Sequence, residues 1–397
     1  MERADLARML GAPRARSGGG SRVVEEGDPG RFMASFAGAL SSGGSVFLAD
    51  PSWRSTERAA LGALAAAGDC GERGWLMIPS GGTGGAVKFA RHDGWTIAAA
   101  VGGFREHFGM DRVNSVGVLP LHHVSGLMAW MRSALSGGTY LPWSWKELEC
   151  GRFPPSVPGD CCLSLVPTQL QRLLASPKAT EWLRGFRIVF VGGGPAWAAL
   201  VEEGARLRLP LSPCYGATET AAMVAALRPE QFLAGARGCG SPLPHARIEV
   251  AGGLVRISGQ SVFRGYFPEV RAGRSWTTDD LGTFSEEEGL VILGRRDDLI
   301  VTGGQKVSPA EVEAALMQSG EFDDVAVVGL EDAEWGQLVV ACHPGGSREP
   351  RMSQVEASLS GLAPYKRPKR YVALSPWPRG PQGKIDRAAL ARLACGG

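Results

Sequence analysis

Short apolar strands that alternate with helical segments are the feature of this chain that most limits its fold. Three such strands are expected at 113–119, 162–166 and 187–191, and a helix is expected from Thr168 to Leu174. Buried apolar runs of about four to eight residues that alternate with helices are typical of a largely parallel sheet. The sequence therefore predicts an α/β fold.

The pattern changes after Gly240. Shorter strands separated by glycine turns are expected at 246–258 and 289–293, which predicts a β subdomain. Beyond the charged stretch RRDD, a helix is expected from Pro309 to Gln318 and strands at 325–328 and 338–342. A chain of 397 residues suits one large and one small domain. We therefore predict a large domain of residues 1–295 and a small α+β domain of residues 296–397.

Composition excludes several classes of protein. The 42 basic and 40 acidic residues give a formal charge of only +2, so nucleic acid is not an expected partner. The eight cysteines contain no CxxC pair, and reduced thiols of a cytoplasmic protein are expected. The first twenty residues lack an apolar stretch, and the longest uncharged run is broken by Pro120, His122 and His123. Neither a signal peptide nor a membrane span is therefore expected.

A glycine-rich stretch, SGGTGG, runs from Ser80 to Gly85 and is followed by Lys88. Glycines let backbone N–H groups approach a phosphate without a Cβ clash, and the Ser80 and Thr83 hydroxyls add donors. The spacing is not that of a Walker loop, and the GxGxxG dinucleotide pattern is absent. The stretch predicts a phosphate-binding loop, with a simple glycine-rich turn as the alternative.

Two later stretches carry groups that suit a nucleotide. In YGATET, which begins at Tyr215, an aromatic ring can stack on a purine, a hydroxyl can bind a phosphate oxygen, and a carboxylate can bind Mg²⁺. In TTDDLG, followed by GRRDD, a carboxylate suits a ribose diol because it accepts two hydrogen bonds at once. Solvated loops and surface turns with paired charges are the alternatives.

Two C-terminal stretches are weaker signals. GGQKVSPAEVE begins at Gly303, and its Ser308 and Pro309 also look like an ordinary helix start. In GKIDR, Lys384 lies on a turn near the C-terminus, where a lysine is most often a solvated charge. It is the order and spacing of all these motifs together that carries the interpretation.

From about Trp75 to Leu390, the motifs and their order resemble those of the adenylate-forming superfamily of acyl-CoA synthetases, luciferases and nonribosomal adenylation domains. The resemblance implies ATP, Mg²⁺ and coenzyme A as ligands and a small domain that rotates between two half-reactions. First an acid and ATP form an acyl-adenylate, and then a thiol takes the acyl group. Ala86 stands where Pro is common in the superfamily, and Asp279 replaces its usual Gly before Asp280.

The resemblance also implies a role for each motif residue. The ATP phosphates are assigned to Ser80, Gly81, Gly82, Thr83, Gly84 and Lys88. Adenine and ribose are assigned to Gly193, Gly194, Pro195, Tyr215, Asp280 and Arg295. Catalysis is assigned to Lys384, Thr218 and Glu219, with Glu219 also holding the metal. The acyl pocket is assigned to His123, Gly126, Gly216 and Ala217, the hinge to Asp297, and the CoA side to Gly303 and Gly304.

Within the superfamily, four stretches resemble the o-succinylbenzoate–CoA ligases of menaquinone or phylloquinone synthesis. They are IPSGGTGGAVKFARH, LPLHHVSGLMAWMRSALSGG, SLVPTQLQRLL and YGATETAAMVAALRPEQFLAG. A charged aromatic acid needs a cationic or hydrogen-bonding partner, for which Arg132 and Lys306 are candidates. The alternatives are another acyl or aryl acid loaded onto CoA or a carrier protein, and a non-catalytic nucleotide-binding module. A homodimer is an expected assembly, although the short region before the phosphate loop leaves its contacts open.

Overall fold

The computed structural model of the chain describes most of its residues. The described ranges are 1–12, 20–41, 43–66, 74–81, 87–155, 157, 159–194, 196–346, 349–379 and 385–395. Four sheets are present in these ranges. None of the helices in the same ranges is long and apolar enough to cross a lipid bilayer.

The first sheet has three parallel strands and one antiparallel edge strand. Its strands, in spatial order, are β1 (Arg22–Val24), β2 (Val46–Leu48), β3 (Leu76–Gly81) and β4 (Val87–His92). The helices in this part of the chain are α1 (Arg3–Met9), α2 (Pro29–Leu40) and α3 (Ser55–Ala66). Because β3 and β4 are antiparallel neighbours, Gly81 and Val87 lie opposite each other at the same end of the two strands.

The second sheet has seven strands in the order β11-β10-β9-β8-β7-β5-β6, and its pairs from β9 to β6 are parallel. These strands are β5 (Asn114–Gly117), β6 (Tyr140–Pro142), β7 (Cys161–Leu165), β8 (Ile188–Val191), β9 (Leu211–Ala217), β10 (Ala222–Ala226) and β11 (Ser241–Pro242). The helices are α4 (Gly94–Phe108), α5 (Val124–Ser136), α6 (Trp145–Glu149), α7 (Pro167–Leu174), α8 (Pro177–Arg184), α9 (Ala198–Arg206) and α10 (Pro229–Leu233). Apolar side chains of the parallel strands pack against these helices and form the core.

The third sheet is an antiparallel meander. It consists of β12 (Ala246–Ala251), β13 (Leu254–Gly259), β14 (Ser275–Ser285) and β15 (Gly289–Arg295). Gly252 and Gly253, with φ of +59° and +80°, form the turn between β12 and β13. This sheet is the β subdomain that the sequence predicts, and its last strand ends in the charged RRDD stretch.

The fourth sheet is built from the C-terminal part of the chain. Its strands are β16 (Ile300–Thr302), β17 (Gln305–Val307), β18 (Ala326–Asp332), β19 (Gly336–Pro344) and β20 (Arg370–Leu374). The helices here are α11 (Pro309–Gln318), α12 (Met352–Leu359) and α13 (Arg387–Cys395). Their apolar residues form separate clusters around this sheet.

The predicted elements agree with these bounds to within a few residues. The helix predicted at Pro309–Gln318 has the predicted ends, and the strand predicted at 113–119 is shorter, at Asn114–Gly117. The α/β class, with a large N-terminal part and a smaller C-terminal part, is confirmed. The boundary between residues 295 and 296 stays a prediction.

Candidate functional site

A buried carboxylate lies at the junction of the first and second sheets. Glu219 belongs to a short 3₁₀ turn, Thr218–Thr220, between β9 and β10. Its Oε1 atom accepts hydrogen bonds from the Ser80 hydroxyl at 2.5 Å and the Tyr266 hydroxyl at 2.8 Å. Ser80 of the phosphate-loop strand β3 is therefore in direct contact with Glu219.

The turn that carries Glu219 depends on local backbone geometry. Ala221 and Ala222 have positive φ values of +52° and +72°, which direct the chain straight back into β10. A Cβ atom on Gly216 would lie 2.0 Å from the Ala222 carbonyl oxygen, so only glycine fits there. The close approach of two strands therefore already accounts for Gly216, whatever it also contributes to an acyl pocket. Ala217, also predicted for that pocket, ends β9 directly before Thr218.

A histidine that the motif analysis missed supports Thr218. The buried His92, at the end of β4, places Nε2 2.7 Å from the Thr218 carbonyl oxygen and Nδ1 3.0 Å from Thr96 Oγ1. The carbonyl can only accept, so Nε2 carries the proton. Burial lowers the pKa of His92 to about 4, and the ring is neutral at neutral pH. Only the fold shows this contact, because His92 and Thr218 are far apart in the sequence.

The residues predicted for ribose form one network with the predicted hinge. The Tyr215 hydroxyl donates to Asp280 Oδ2 at 2.5 Å, and Arg295 Nη1 lies 3.5 Å from Asp280 Oδ1. Arg295 also forms two 2.9 Å bonds to the Asp297 carboxylate. Cross-strand pairing of Asp280 with Arg295 in β14 and β15 sets this arrangement. Burial and the neighbouring Asp280 carboxylate raise the pKa of Tyr215, so its hydroxyl stays a donor.

The phosphate side is only partly described. Ser80 pairs with Lys88, and Gly81 with Val87, at the base of the β3–β4 loop. Gly82, Thr83 and Gly84 lie outside the described residues, as does Pro195 on the adenine side. Gly193 and Gly194 are exposed directly after β8, and Gly193 has a φ of +77°.

A buried cation marks the predicted acyl side. Arg132 on α5 is 5% exposed, and its guanidinium lies 4.2 Å from the centre of the Phe104 ring. Its Nε has no hydrogen-bond partner, and Arg132 forms no ion pair with any residue that the structure describes. Burial lowers the pKa of Arg132 to about 10, which still leaves the group charged at neutral pH. Lys306, the other candidate, is exposed on β17.

The other residues predicted for the acyl pocket lie at the start of α5. His123 precedes the first turn of the helix, and its ring centre is 4.5 Å from that of His122. His122 Nε2 lies 3.4 Å from the Asp50 carboxylate, and ligand atoms of Asp50, His122 and His123 lie within 4.8 Å of one another. A Cβ atom on Gly126 would be 2.1 Å from the Pro120 carbonyl oxygen, so a close backbone approach requires this glycine.

The small C-terminal part adds a cavity beside the predicted CoA-side loop. Gly303 and Gly304 form the turn between β16 and β17, with φ of +55° and +75°. The Trp335 ring lies against Gly303, 3.2 Å from where a Cβ would be. The adjoining cavity of about 330 Å³ is lined by Thr302, Trp335, Leu338, Val339, Pro364, Tyr365 and Lys369.

The predicted catalytic Lys384 lies outside the described residues. Arg387, three positions further on, is described at the start of α13. Its guanidinium binds the Glu313 carboxylate and lies 3.4 Å from Asp298, next to the predicted hinge residue. The C-terminal helix is thereby tied to the segment that follows β15.

Comparison with known proteins gives a consistent result. The AMP-binding enzyme family matches residues 71–267, and the AMP-binding enzyme C-terminal domain matches residues 311–384. A 2-succinylbenzoate–CoA ligase of Bacillus licheniformis is 32% identical over 338 residues, which cover 79% of this chain and 69% of that protein. One of Geobacillus kaustophilus is 32% identical over 354 residues, covering 82% of this chain and 70% of that protein.

Solved structures support the fold. The o-succinylbenzoate CoA synthetase of Bacillus subtilis, in complex with its acyl-adenylate intermediate, superposes with a TM-score of 0.79 at 23% identity. That match covers 98% of this chain and 91% of the other. The same enzyme with ATP and magnesium superposes with a TM-score of 0.78 at 23% identity, covering 97% and 92%.

Proposed function

This chain belongs to the AMP-binding enzyme family, and from that premise we propose that it is an AMP-forming acid–thiol ligase. Its acid is 2-succinylbenzoate, its acyl acceptor is coenzyme A, and its product serves menaquinone or phylloquinone synthesis. The observation that carries the chemistry is that two separate motifs contact the YGATET stretch, since Ser80 donates to Glu219 and Tyr215 donates to Asp280. The ligases of the two bacterial relatives support the choice of acid.

In the first half-reaction the protein positions ATP and screens charge. The Asp280 carboxylate accepts hydrogen bonds from the ribose diol, beside the Tyr215 ring and Gly193–Gly194 at the adenine. The glycine-rich sequence from Ser80 to Gly85 is assigned to the phosphates, because glycines let backbone N–H groups approach them. Lys384 and Thr218 then stabilise charge at the α-phosphate while the acid carboxylate attacks and pyrophosphate leaves.

A magnesium ion fits the residues around Glu219. The carboxylate is buried, and its two hydroxyl donors among the described residues bind the same oxygen, which leaves the other as a hard ligand for a cation. When bound, the ion would supply positive charge that neutralises the phosphate oxygens. The chain's own contribution is to hold that carboxylate in position.

Arg132 is the proposed partner of the second substrate carboxylate. 2-Succinylbenzoate carries two carboxylates, and only one of them reacts. A buried guanidinium without an ion-pair partner among the described residues is electrostatically matched to the other one. Lys306 is less suitable, because it is exposed on the small C-terminal sheet.

The second half-reaction uses the C-terminal part. We place the domain boundary between residues 295 and 296, with Asp297 as the hinge that absorbs the rotation. The cavity beside Gly303 and Gly304 suits the nucleotide end of CoA, since Trp335 offers an aromatic face and Lys369 a cation. The thiolate then attacks the acyl-adenylate carbonyl and AMP leaves.

Location and assembly are part of the same proposal. Every cysteine in the described ranges is a free thiol, which suits the reducing cytoplasm. An open apolar groove of about 480 Å³ beside Met9, Met33 and Trp130 supports a homodimer. Sedimentation velocity at micromolar concentration measures the assembly directly, and a single monomer boundary would contradict the dimer.

The deciding experiment measures CoA-dependent AMP release from ATP with 2-succinylbenzoate, benzoate or a medium-chain fatty acid. We expect turnover with 2-succinylbenzoate alone, and a loss of about 10²–10³-fold in Lys384→Ala, as for removal of one transition-state charge donor. Exposed Lys146 on α6 gives the matched control, Lys146→Ala. Turnover with another acid would contradict the substrate, and ATP binding without AMP release for any acid would favour a non-catalytic module.

A further inference from the structure

Tyr266 lies between β13 and β14, in a segment that is hydrogen-bonded to β4. Its backbone pairs with Ala90 of β4, and the N–H of Phe267 donates to the Phe89 carbonyl oxygen at 2.8 Å. The Tyr266 ring also packs edge-on against Phe263, with ring centres 4.9 Å apart. The position of its hydroxyl is therefore fixed from two sides.

The Tyr266 hydroxyl and the Ser80 hydroxyl leave Glu219 with an asymmetric set of contacts. Both donate to Oε1, at 2.8 Å and 2.5 Å, and Oε2 has no hydrogen-bond donor among the described residues. Glu219 is 4% exposed and forms no ion pair in those residues. A buried carboxylate in this state depends on its hydroxyl donors and presents its other oxygen to a cation.

The face of the Tyr266 ring has a second contact. The Lys88 ammonium lies 5.5 Å from the ring centre, which is a cation–π distance. Lys88 is the cation predicted for the phosphates, and Glu219 is the acid predicted for the metal. One side chain therefore contacts both charged groups on which the phosphate end of the cleft depends.

We propose that Tyr266 is a positioning residue: its hydroxyl turns Glu219 so that Oε2 faces the metal of the metal–nucleotide complex, and its ring holds Lys88 toward the phosphates. This role rests on the proposed function, because it presumes that MgATP is the ligand. Nothing in the GY dipeptide at 265–266 identifies it from the sequence, since the contact joins residues 47 positions apart.

The test compares Tyr266→Phe, which keeps the ring, with Tyr266→Leu, which removes both contacts. Calorimetry measures ATP binding with and without Mg²⁺, and the paramagnetic resonance of Mn²⁺ measures metal binding in the presence of ATP. For Tyr266→Phe we expect metal affinity to fall about tenfold, the effect of one hydrogen bond to a charged group, while metal-free ATP binding is unchanged. For Tyr266→Leu we expect metal-free ATP binding to weaken as well.

Two controls separate the possible failures. Tyr371→Phe removes a hydroxyl from the C-terminal sheet and should leave both measurements as in the wild type. Thermal melting checks that each variant is folded, and Ser80→Ala should weaken metal binding in the same direction as Tyr266→Phe.

If the wild type binds ATP without any effect of Mg²⁺, the proposed function fails. If the wild type shows the effect and folded Tyr266→Phe keeps it in full, only the role of Tyr266 is overturned.

Discussion

The predicted nucleotide side and the predicted acyl side differ in whether their charged groups are paired. Around the predicted ribose position, Asp280, Arg295 and Asp297 already satisfy one another, and Tyr215 donates to the same network. On the acyl side, Arg132 is buried against Phe104 without an ion pair among the described residues. The first region is electrostatically complete before a ligand arrives, whereas the second lacks a negative charge that a ligand can bring.

This difference determines how much each region gains from its ligand. A nucleotide must exchange existing bonds, such as Tyr215 to Asp280, for new ones, so the net gain for each bond is small. A carboxylate that reaches Arg132 satisfies a cation whose desolvation is already included in the stability of the fold. Substitutions on the acyl side should therefore change specificity strongly, and those on the nucleotide side should change affinity mildly.

The largest expected effect is that of Arg132→Met. Removal of one partner of a buried charge pair costs about 2–5 kcal/mol, so kcat/KM for 2-succinylbenzoate should fall about thirtyfold or more. The KM for ATP should stay close to that of the wild type. Steady-state kinetics with the dicarboxylate and with benzoate measure the change in selectivity.

The same variant also tests the acyl-side half of the comparison without any substrate. Methionine keeps the packing on Phe104 and removes an unpaired cation, so the thermal midpoint of the empty protein should stay the same or rise. Arg295→Met is the matched control, because it should lower stability and raise the KM for ATP while acid selectivity is kept. A clear loss of stability in Arg132→Met would show that Arg132 is a satisfied structural residue.

A smaller effect is expected for Tyr215→Phe on the nucleotide side. The variant keeps the ring beside the proposed adenine position and removes its hydrogen bond to the Asp280 carboxylate. Because the lost bond is one that the nucleotide would exchange on binding, the KM for ATP should stay within about threefold of the wild-type value, and acid selectivity should not change. A hundredfold loss would mean that the network is not exchanged on binding, and the contrast between the two sides would disappear.

The sequence predicted the nucleotide side better than the acyl side for a physical reason. Backbone approach to phosphate and carboxylate binding of ribose need particular residues at short spacing, so Ser80 and Asp280 stand in readable motifs. The residues that hold the motif residues in place do not stand in such motifs. His92 contacts Thr218, and Tyr266 contacts Glu219, only because separate sheets meet. On the acyl side one arginine in an apolar helix was a candidate, and only its burial distinguished it from Lys306.

A dependence of stability on pH also compares the two sides. Burial lowers the pKa of His92 to about 4, and burial followed by the charge of Arg132 lowers that of His245 to about 4. Below the ordinary histidine pKa of about 6.5, these two histidines bind protons in the unfolded chain but not in the folded protein. The stability that these rings contribute is therefore complete above that pH and is lost as the pH falls toward 4.

Denaturant unfolding between pH 6.5 and 5 measures this loss, which approaches about 1.4 kcal/mol per pH unit for each ring. His92→Gln keeps an N–H donor for the Thr218 carbonyl and should remove one ring's share of the slope. Arg132→Met should flatten the slope by a smaller amount, because His245 loses a neighbouring cation and its pKa moves back toward the ordinary value. Burial is the main cause of the low pKa of His92, and Arg295 is not among its causes, so Arg295→Met should leave the pH slope of stability unchanged. If Arg295→Met lowers that slope as much as Arg132→Met does, the charge of Arg132 has no special effect on the acyl side.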